Sequence, residues 1–183
     1  MSPERPLEAI TAELGALALR PATALSLALI GQPGSRYQVP TPAAVIDLDA
    51  FDRNVARMAA RAKAAGLALR PHAKSHKCAA LARRQIAAGA VGVCCAKLAE
   101  AEALSAAGVR GILITSALAG EPSAARAAKL AGIDPAFAIT VDHPDGATEI
   151  GQAARAAGVT VRVVLDVDLG MGRTGVSGVD QAA

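Results

Sequence analysis

A fivefold recurrence constrains this chain more than any other feature. Two small or apolar residues, a glycine and another apolar residue return at Ala64-Ala65-Gly66-Leu67, Ala87-Ala88-Gly89-Ala90, Ala106-Ala107-Gly108-Val109, Leu130-Ala131-Gly132-Ile133 and Ala156-Ala157-Gly158-Val159. Glycine tolerates the left-handed backbone needed just past a helix end, so each phrase reads as a helix closing and a strand opening. The glycines recur every 19 to 26 residues, room for a strand, a turn and a helix of two or three turns. Short apolar runs follow them at Leu67 to Leu69, Val91 to Cys95, Ile112 to Thr115, Phe137 to Val141 and Thr160 to Leu165. Near-continuous apolar strands alternating with Ala-rich helices predict an α/β chain whose parallel sheet is covered on both faces. Five strands would make most of a doubly wound sheet, or a little over half of a barrel.

The helix before Gly66 has the clearest stripe, with Phe51, Val55, Met58, Ala62 and Ala65 at three- or four-residue steps and Asp49 placed to cap it. Ahead of it, Pro40-Thr41-Pro42 marks a break and Ala43 to Leu48 reads as a strand. Residues 1–36 read as a peripheral helical lead-in ending in the turn-rich Gly31-Gln32-Pro33-Gly34-Ser35. The expected organisation is a lead-in over 1–40 and one domain over 41–183.

Composition narrows the functions. Alanine alone supplies 46 of 183 residues, and 52% hydrophobic with 19% charged residues is too apolar for a disordered chain. A net charge of +3 with one Tyr, two Phe and no Trp argues against nucleic-acid binding. Cys78, Cys94 and Cys95 suit neither a disulfide framework nor a zinc cluster and read as buried thiols in a reducing compartment. Arg20 and Pro21 interrupt the apolar stretch Leu14 to Ile30, and Glu4, Glu8 and Glu13 precede it, so neither a membrane span nor a signal peptide is expected. A cytoplasmic location follows as an expectation. The 183 residues also fall short of the ~250 usual for a closed eight-stranded barrel.

Two strings carry candidate chemistry. In Arg70-Pro71-His72-Ala73-Lys74-Ser75-His76-Lys77, continued strand geometry would put Arg70, His72 and Lys74 on one face. Clustered positive charge and partial desolvation disfavour the ammonium form, and a neutral lysine attacks an aldehyde to form a Schiff base. The same string also reads as a solvated basic loop after a strand. His72 and His76 lack a carboxylate or thiol at a metal-ligand spacing, so no metal site is expected among these residues. The second string is Asp166-Val167-Asp168-Leu169-Gly170-Met171-Gly172-Arg173-Thr174-Gly175. Its Gly170-x-Gly172-x-x-Gly175 resembles a dinucleotide fingerprint, but it follows the fifth strand, not the first, and reads equally as a plain turn. Parallel α/β folds gather chemistry at the carboxyl ends of their strands, where Lys74, this turn, Thr115-Ser116 and Asp142-His143 all fall. Cys94 and Cys95 read as strand core, and Glu100 and Glu102 as residues favoured by the dipole of the next helix.

From Thr41 to Gly175 the chain resembles the alanine-racemase-like barrel enzymes of fold type III that use pyridoxal 5′-phosphate, in particular their D-threonine aldolase and D-serine dehydratase branch. Three segments carry the resemblance: residues 41–49, then 70–77 with 89–97, then 168–175. The resemblance implies a partial (β/α)8 TIM-type barrel of about five parallel strands, with Ala43 to Leu48 belonging to a mostly missing β domain. It implies that Lys74 holds the cofactor and is catalytic, and that Arg173 approaches the pyridine 3-oxygen or the substrate side of the ring. His72 and Asp168 join the same cofactor-binding set. It further implies a lyase for small D-3-hydroxy amino acids, homodimeric at full length, with a divalent metal, Mn or Zn, held by a carboxy-terminal region beyond this chain. Aldolase cleavage to glycine and an aldehyde, β-elimination by a D-serine or D-threo-3-hydroxyaspartate dehydratase, and cofactor binding without turnover all stay open. The 183-residue form by itself is expected to be inactive.

Overall fold

The computed structural model describes residues 28–29 and 32–178, in two compact units that divide between Asp47 and Leu48. Most of the lead-in expected over 1–40 lies outside the described residues. In the described part of the first unit, Gly34 takes a left-handed φ of 73° and opens a 3₁₀ turn, Ser35–Tyr37. Residues 43–47, expected as a strand, join no ladder among the described residues. Their apolar side chains are largely exposed, Val45 at 77%. Apolar character alone does not make a strand, which exists through the neighbour that takes its hydrogen bonds.

The second unit is the predicted alternation. Helix α1 (Leu48–Ala64) is followed by a 3₁₀ turn (Ala73–Ser75), then α2 (Ala79–Ala87), β1 (Val93–Cys95), α3 (Leu98–Ala106), β2 (Ile112–Ile114), α4 (Glu121–Ile133), β3 (Ala138–Val141), α5 (Pro144–Ala157) and β4 (Arg162–Leu165). The strands form one parallel sheet in the order β1-β2-β3-β4. The run predicted at Leu67 to Leu69 is extended without a full ladder. Val91 N–H donates to Leu69 O at 2.9 Å and Cys94 N–H to Pro71 O at 2.8 Å, and His72 makes an isolated parallel bridge to Cys94. Four regular strands and this bridged segment thus account for the five apolar runs.

The core lies between the central strands and the helices on their outer side. Val93, Cys95, Ile112, Ile114, Phe137 and Ile139 are fully buried. They meet the Ala-rich face of α4, where Ala124, Ala127, Ala128 and Ala131 are buried beside Leu130. Pro122 and Pro144 occupy the first turns of α4 and α5, where a missing N–H costs nothing. Asp49 lies in the first turn of α1 and not ahead of it, because the helix already starts at Leu48.

Four of the five recurring glycines are left-handed as predicted: Gly66, Gly89, Gly108 and Gly158. Gly132 instead lies inside α4, which runs on to Ile133. The ending passes to Asp134, a buried residue whose carboxylate accepts Gly111 N–H at 2.6 Å and Ala136 N–H at 2.9 Å. Glycine is required more strictly where β1 and β2 are entered. A Cβ on Gly92 would come within 1.9 Å of Gly111 O, so the two backbones touch there and admit no side chain.

Candidate active site

His72 ends the bridged segment at the mouth of the sheet, and the backbone then leaves extended geometry for the Ala73–Ser75 turn. That turn overturns two expectations. Strand alternation stops at Ala73, which is buried, so Arg70, His72 and Lys74 do not form one continuous strand face. Lys74, expected to be partly desolvated, is exposed on this turn. Among the described residues its ammonium takes no ion pair.

The turn is nonetheless held firmly. His72 Nδ1 accepts Lys74 N–H at 3.3 Å, and Ser75 Oγ donates to His72 O at 3.2 Å. Lys77, at a φ of 48°, pairs with Glu100 on α3 at 3.5 Å, while Glu100 also accepts Ala96 N–H at 2.9 Å. Burial pushes the Glu100 carboxyl up, but the Ala96 N–H and Lys77 outweigh it and hold it below the usual carboxylate range. In the sequence Glu100 reads only as a residue favoured by the helix dipole. The signal that would have found this one is its placement three residues past Lys97, at the start of α3, where its carboxylate reaches back over the β1–α3 turn.

Across the mouth, the strand-end loop after β4 and Thr115, the residue that follows β2, line an open cleft of about 540 Å³ with Asp166, Asp168, Met171, Arg173 and Thr174. The loop closes on itself. Val167 bridges Val176, Asp168 N donates to Val176 O at 2.9 Å, and Val176 N donates to Asp166 O at 3.0 Å. Inside it the Asp168 carboxylate accepts the N–H groups of Gly170, Met171 and Gly172 at 2.8 to 3.1 Å. The Gly172 and Gly170 bonds first, with Met171 adding less, hold Asp168 below its ordinary range against the opposing effect of burial. A Cβ on Gly175 would lie 2.7 Å from Asp168 N, so Gly175 serves loop closure. A dinucleotide site needs a helix directly after the glycines. Here the chain turns back at Val176 instead, and the fingerprint reading fails.

A hydrogen bond links the two sides, with His72 Nε2 3.2 Å from Thr115 Oγ1. The structure therefore brings His72, Thr115, Asp168 and Arg173 to one strand-end region, with Lys74 on the turn two residues beyond His72. Asp142 and His143 line a separate hollow with Leu118 and Glu149, and His143 serves as the cap of α5 by accepting Asp145 N–H at 3.2 Å. Cys95 is core as expected, its thiol pushed up to about 12 by burial, with Glu100 and Cys94 adding to it. Cys94 is partly buried and donates to Arg70 O at 3.4 Å.

These residues fit pyridoxal phosphate by their chemistry. An exposed primary amine suits its aldehyde, and the Arg173 guanidinium suits its anionic oxygens. Arg70 Nε is buried with no hydrogen-bond partner among the described residues, a donor still to be satisfied near the same strand end.

The chain is 41% identical over 147 residues to a D-threonine aldolase of Arthrobacter sp, covering 80% of this chain and 38% of that protein. It superposes on the crystal structure of D-threonine aldolase from Filomicrobium marinum with a TM-score of 0.76 and 44% identity, covering 79% of this chain and 39% of that one. It matches D-threo-3-hydroxyaspartate dehydratase from Delftia sp. HT23 with a TM-score of 0.68 and 38% identity, covering 75% and 36%. The chain thus spans under two-fifths of the length of these relatives. The alanine racemase N-terminal domain matches residues 46–183, and it is to this family of α/β, TIM-barrel-like domains that the chain belongs.

Proposed function

We propose that the intact protein is a pyridoxal-phosphate-dependent lyase that cleaves small D-3-hydroxy amino acids in a retro-aldol step to glycine and an aldehyde. The observation that carries the reading is the strand-end region joining His72, Thr115 and Arg173 beside an amine-bearing turn, in a chain 41% identical to a D-threonine aldolase. Lys74 is the attachment point and Arg173 the cation that orients the bound ring. When bound, the cofactor supplies an electron sink for the pair released as the Cα–Cβ bond breaks. The residues of this chain hold and orient it, and a base removes the substrate hydroxyl proton. His72 belongs to the cofactor-binding set, and Asp168 acts there through the loop that carries Arg173.

A divalent metal, Mn or Zn, is proposed to bind through a carboxy-terminal region. No group of three His, Cys, Asp or Glu among the described residues could hold one. We propose a cytoplasmic homodimer with neither a nucleic-acid nor a membrane partner. No helix among the described residues is long and apolar enough to cross a membrane.

Borohydride reduction of the full-length protein with its cofactor, followed by peptide mapping, should label Lys74, and label on another lysine would overturn the assignment. Likeness to the Delftia dehydratase favours a second reading, β-elimination of water. Product analysis separates them, since glycine with an aldehyde marks the aldolase and a keto acid with ammonia the dehydratase. Cofactor absorbance without turnover of any D-hydroxy amino acid would instead mark a binding protein.

A further inference from the structure

Both nitrogens of the His72 ring face a partner, and the partner of Nδ1 has a fixed role. Nδ1 faces the backbone N–H of Lys74 at 3.3 Å, and an amide N–H only donates, so Nδ1 is the acceptor and carries no proton. Nε2 faces Thr115 Oγ1 at 3.2 Å. The one hydroxyl proton of Thr115 goes to Cys95 O at 3.1 Å, which leaves the oxygen lone pairs to accept from Nε2–H. The Lys74 N–H therefore sets the form of the ring, neutral with its proton on Nε2, and the Thr115 hydroxyl directed at Cys95 O is placed to accept that proton. Burial and the Lys74 charge lower the proton affinity of His72, outweighing Glu100 and the Cys94 backbone, which raise it, so the neutral form is also the favoured one.

We propose that Thr115 and His72 are positioning residues for Lys74: the hydroxyl, anchored on Cys95, fixes the ring with its proton on Nε2, and Nδ1 holds the turn that presents the amine. The importance of the amine rests on the reading of Lys74 as the attachment point. The proton assignment does not. A ring whose Nε2 proton is already given to Thr115, and whose Nδ1 lone pair is taken by Lys74 N–H, has no site left for a substrate hydroxyl. His72 is thus not the base of the bond-breaking step, and that base lies elsewhere.

The test uses cofactor-free, full-length protein labelled with ¹⁵N-histidine, with His72→Gln to assign the ring. An exchange-protected Nε2–H correlation should appear at pH 7 in the wild type and in Thr115→Ser, and vanish in Thr115→Val. A proton on Nδ1, or a correlation unchanged in Thr115→Val, would sink the proposal. If Thr115→Val does not fold, the wild-type tautomer and the serine variant decide it. With cofactor added, borohydride trapping at Lys74 should slow about fivefold in Thr115→Val, the factor one net hydrogen bond is worth, and stay at the wild-type rate in Thr115→Ser. Trapping at the wild-type rate in Thr115→Val overturns the link to the amine. Label on a different lysine with the Nε2–H correlation intact overturns the attachment reading and leaves the His72 assignment standing.

Discussion

Strands β3 and β4 are both four residues long, rich in apolar side chains, and paired to each other in register from Ala138↔Arg162 to Val141↔Leu165. Yet every residue of β3 is buried and every residue of β4 is exposed, with Val163 at 53% and Leu165 at 40%. Pairing and burial are separate achievements. A parallel ladder satisfies the backbone from one side, whereas burial needs a neighbour on the other edge and cover on both faces. β3 has β2, β4 and the packed helices, while beyond β4 no further strand lies among the described residues. The same gradient runs through the helices: α4 buries five residues, and α1, despite its apolar stripe, buries none.

Truncating a side chain on each strand is the strongest way to break this contrast. Ile139→Ala removes a side chain with no exposure from the middle of the core and should lower unfolding stability by about 3 kcal/mol. Val164→Ala, on a residue 45% exposed, should cost under about 1 kcal/mol. Denaturant midpoints of the two variants measure the difference, and equal losses would mean that β4 is covered in solution as fully as β3.

What the sequence made legible follows the same division. The order of strands and helices was readable because each glycine-closed helix leads into an apolar run, and local chemistry decides both. The candidate residues Lys74, His72, Asp168 and Arg173 were readable as strand-end residues for the same reason. Their surroundings were not. The strand expected at Ala43 to Leu48 depended on a partner, and the burial expected for Lys74 depended on a closed barrel interior. Thr115 was readable as a strand-end residue but its partners were not, since its bonds to His72 and Cys95 exist only because three strand ends come together. Asp168 shows the reverse case. A carboxylate two residues ahead of a glycine-rich turn is a local signal for a side chain that gathers backbone N–H groups, and here it gathers three.

That loop supplies a prediction of intermediate size, because it orders an exposed region by hydrogen bonds where the core is ordered by packing. Asp168 has a lowered folded-state pKa, so its contribution is fully present above the unfolded value and is lost as pH falls through the folded one. The amide shifts of Gly170, Met171 and Gly172 should therefore titrate together at a pH below the ~3.9 of an unperturbed aspartate. Asp168→Asn should abolish this acid limb. A shared titration at the ordinary aspartate value would mean that the carboxylate does not hold the loop.

The smallest effects should come from two similar ion pairs in unlike settings. Glu102 on α3 takes Arg126 Nε of α4 at 2.7 Å between helices already packed on the core, whereas Asp52 on α1 takes Arg84 of α2 at 2.6 Å where α1 buries nothing. All four side chains are at least a third exposed, so each pair is worth no more than about 0.5 kcal/mol in global stability. Their local effects should part company. Glu102→Gln should leave amide exchange in α3 and α4 unchanged, because burial of Leu104 and Leu130 holds those helices in place. Asp52→Asn should speed exchange throughout α1, because little else resists its opening. Uniform exchange rates in α1 with and without the Asp52 carboxylate would show that the half-buried stripe of Phe51, Val55, Ala59 and Ala62 seats the helix by itself.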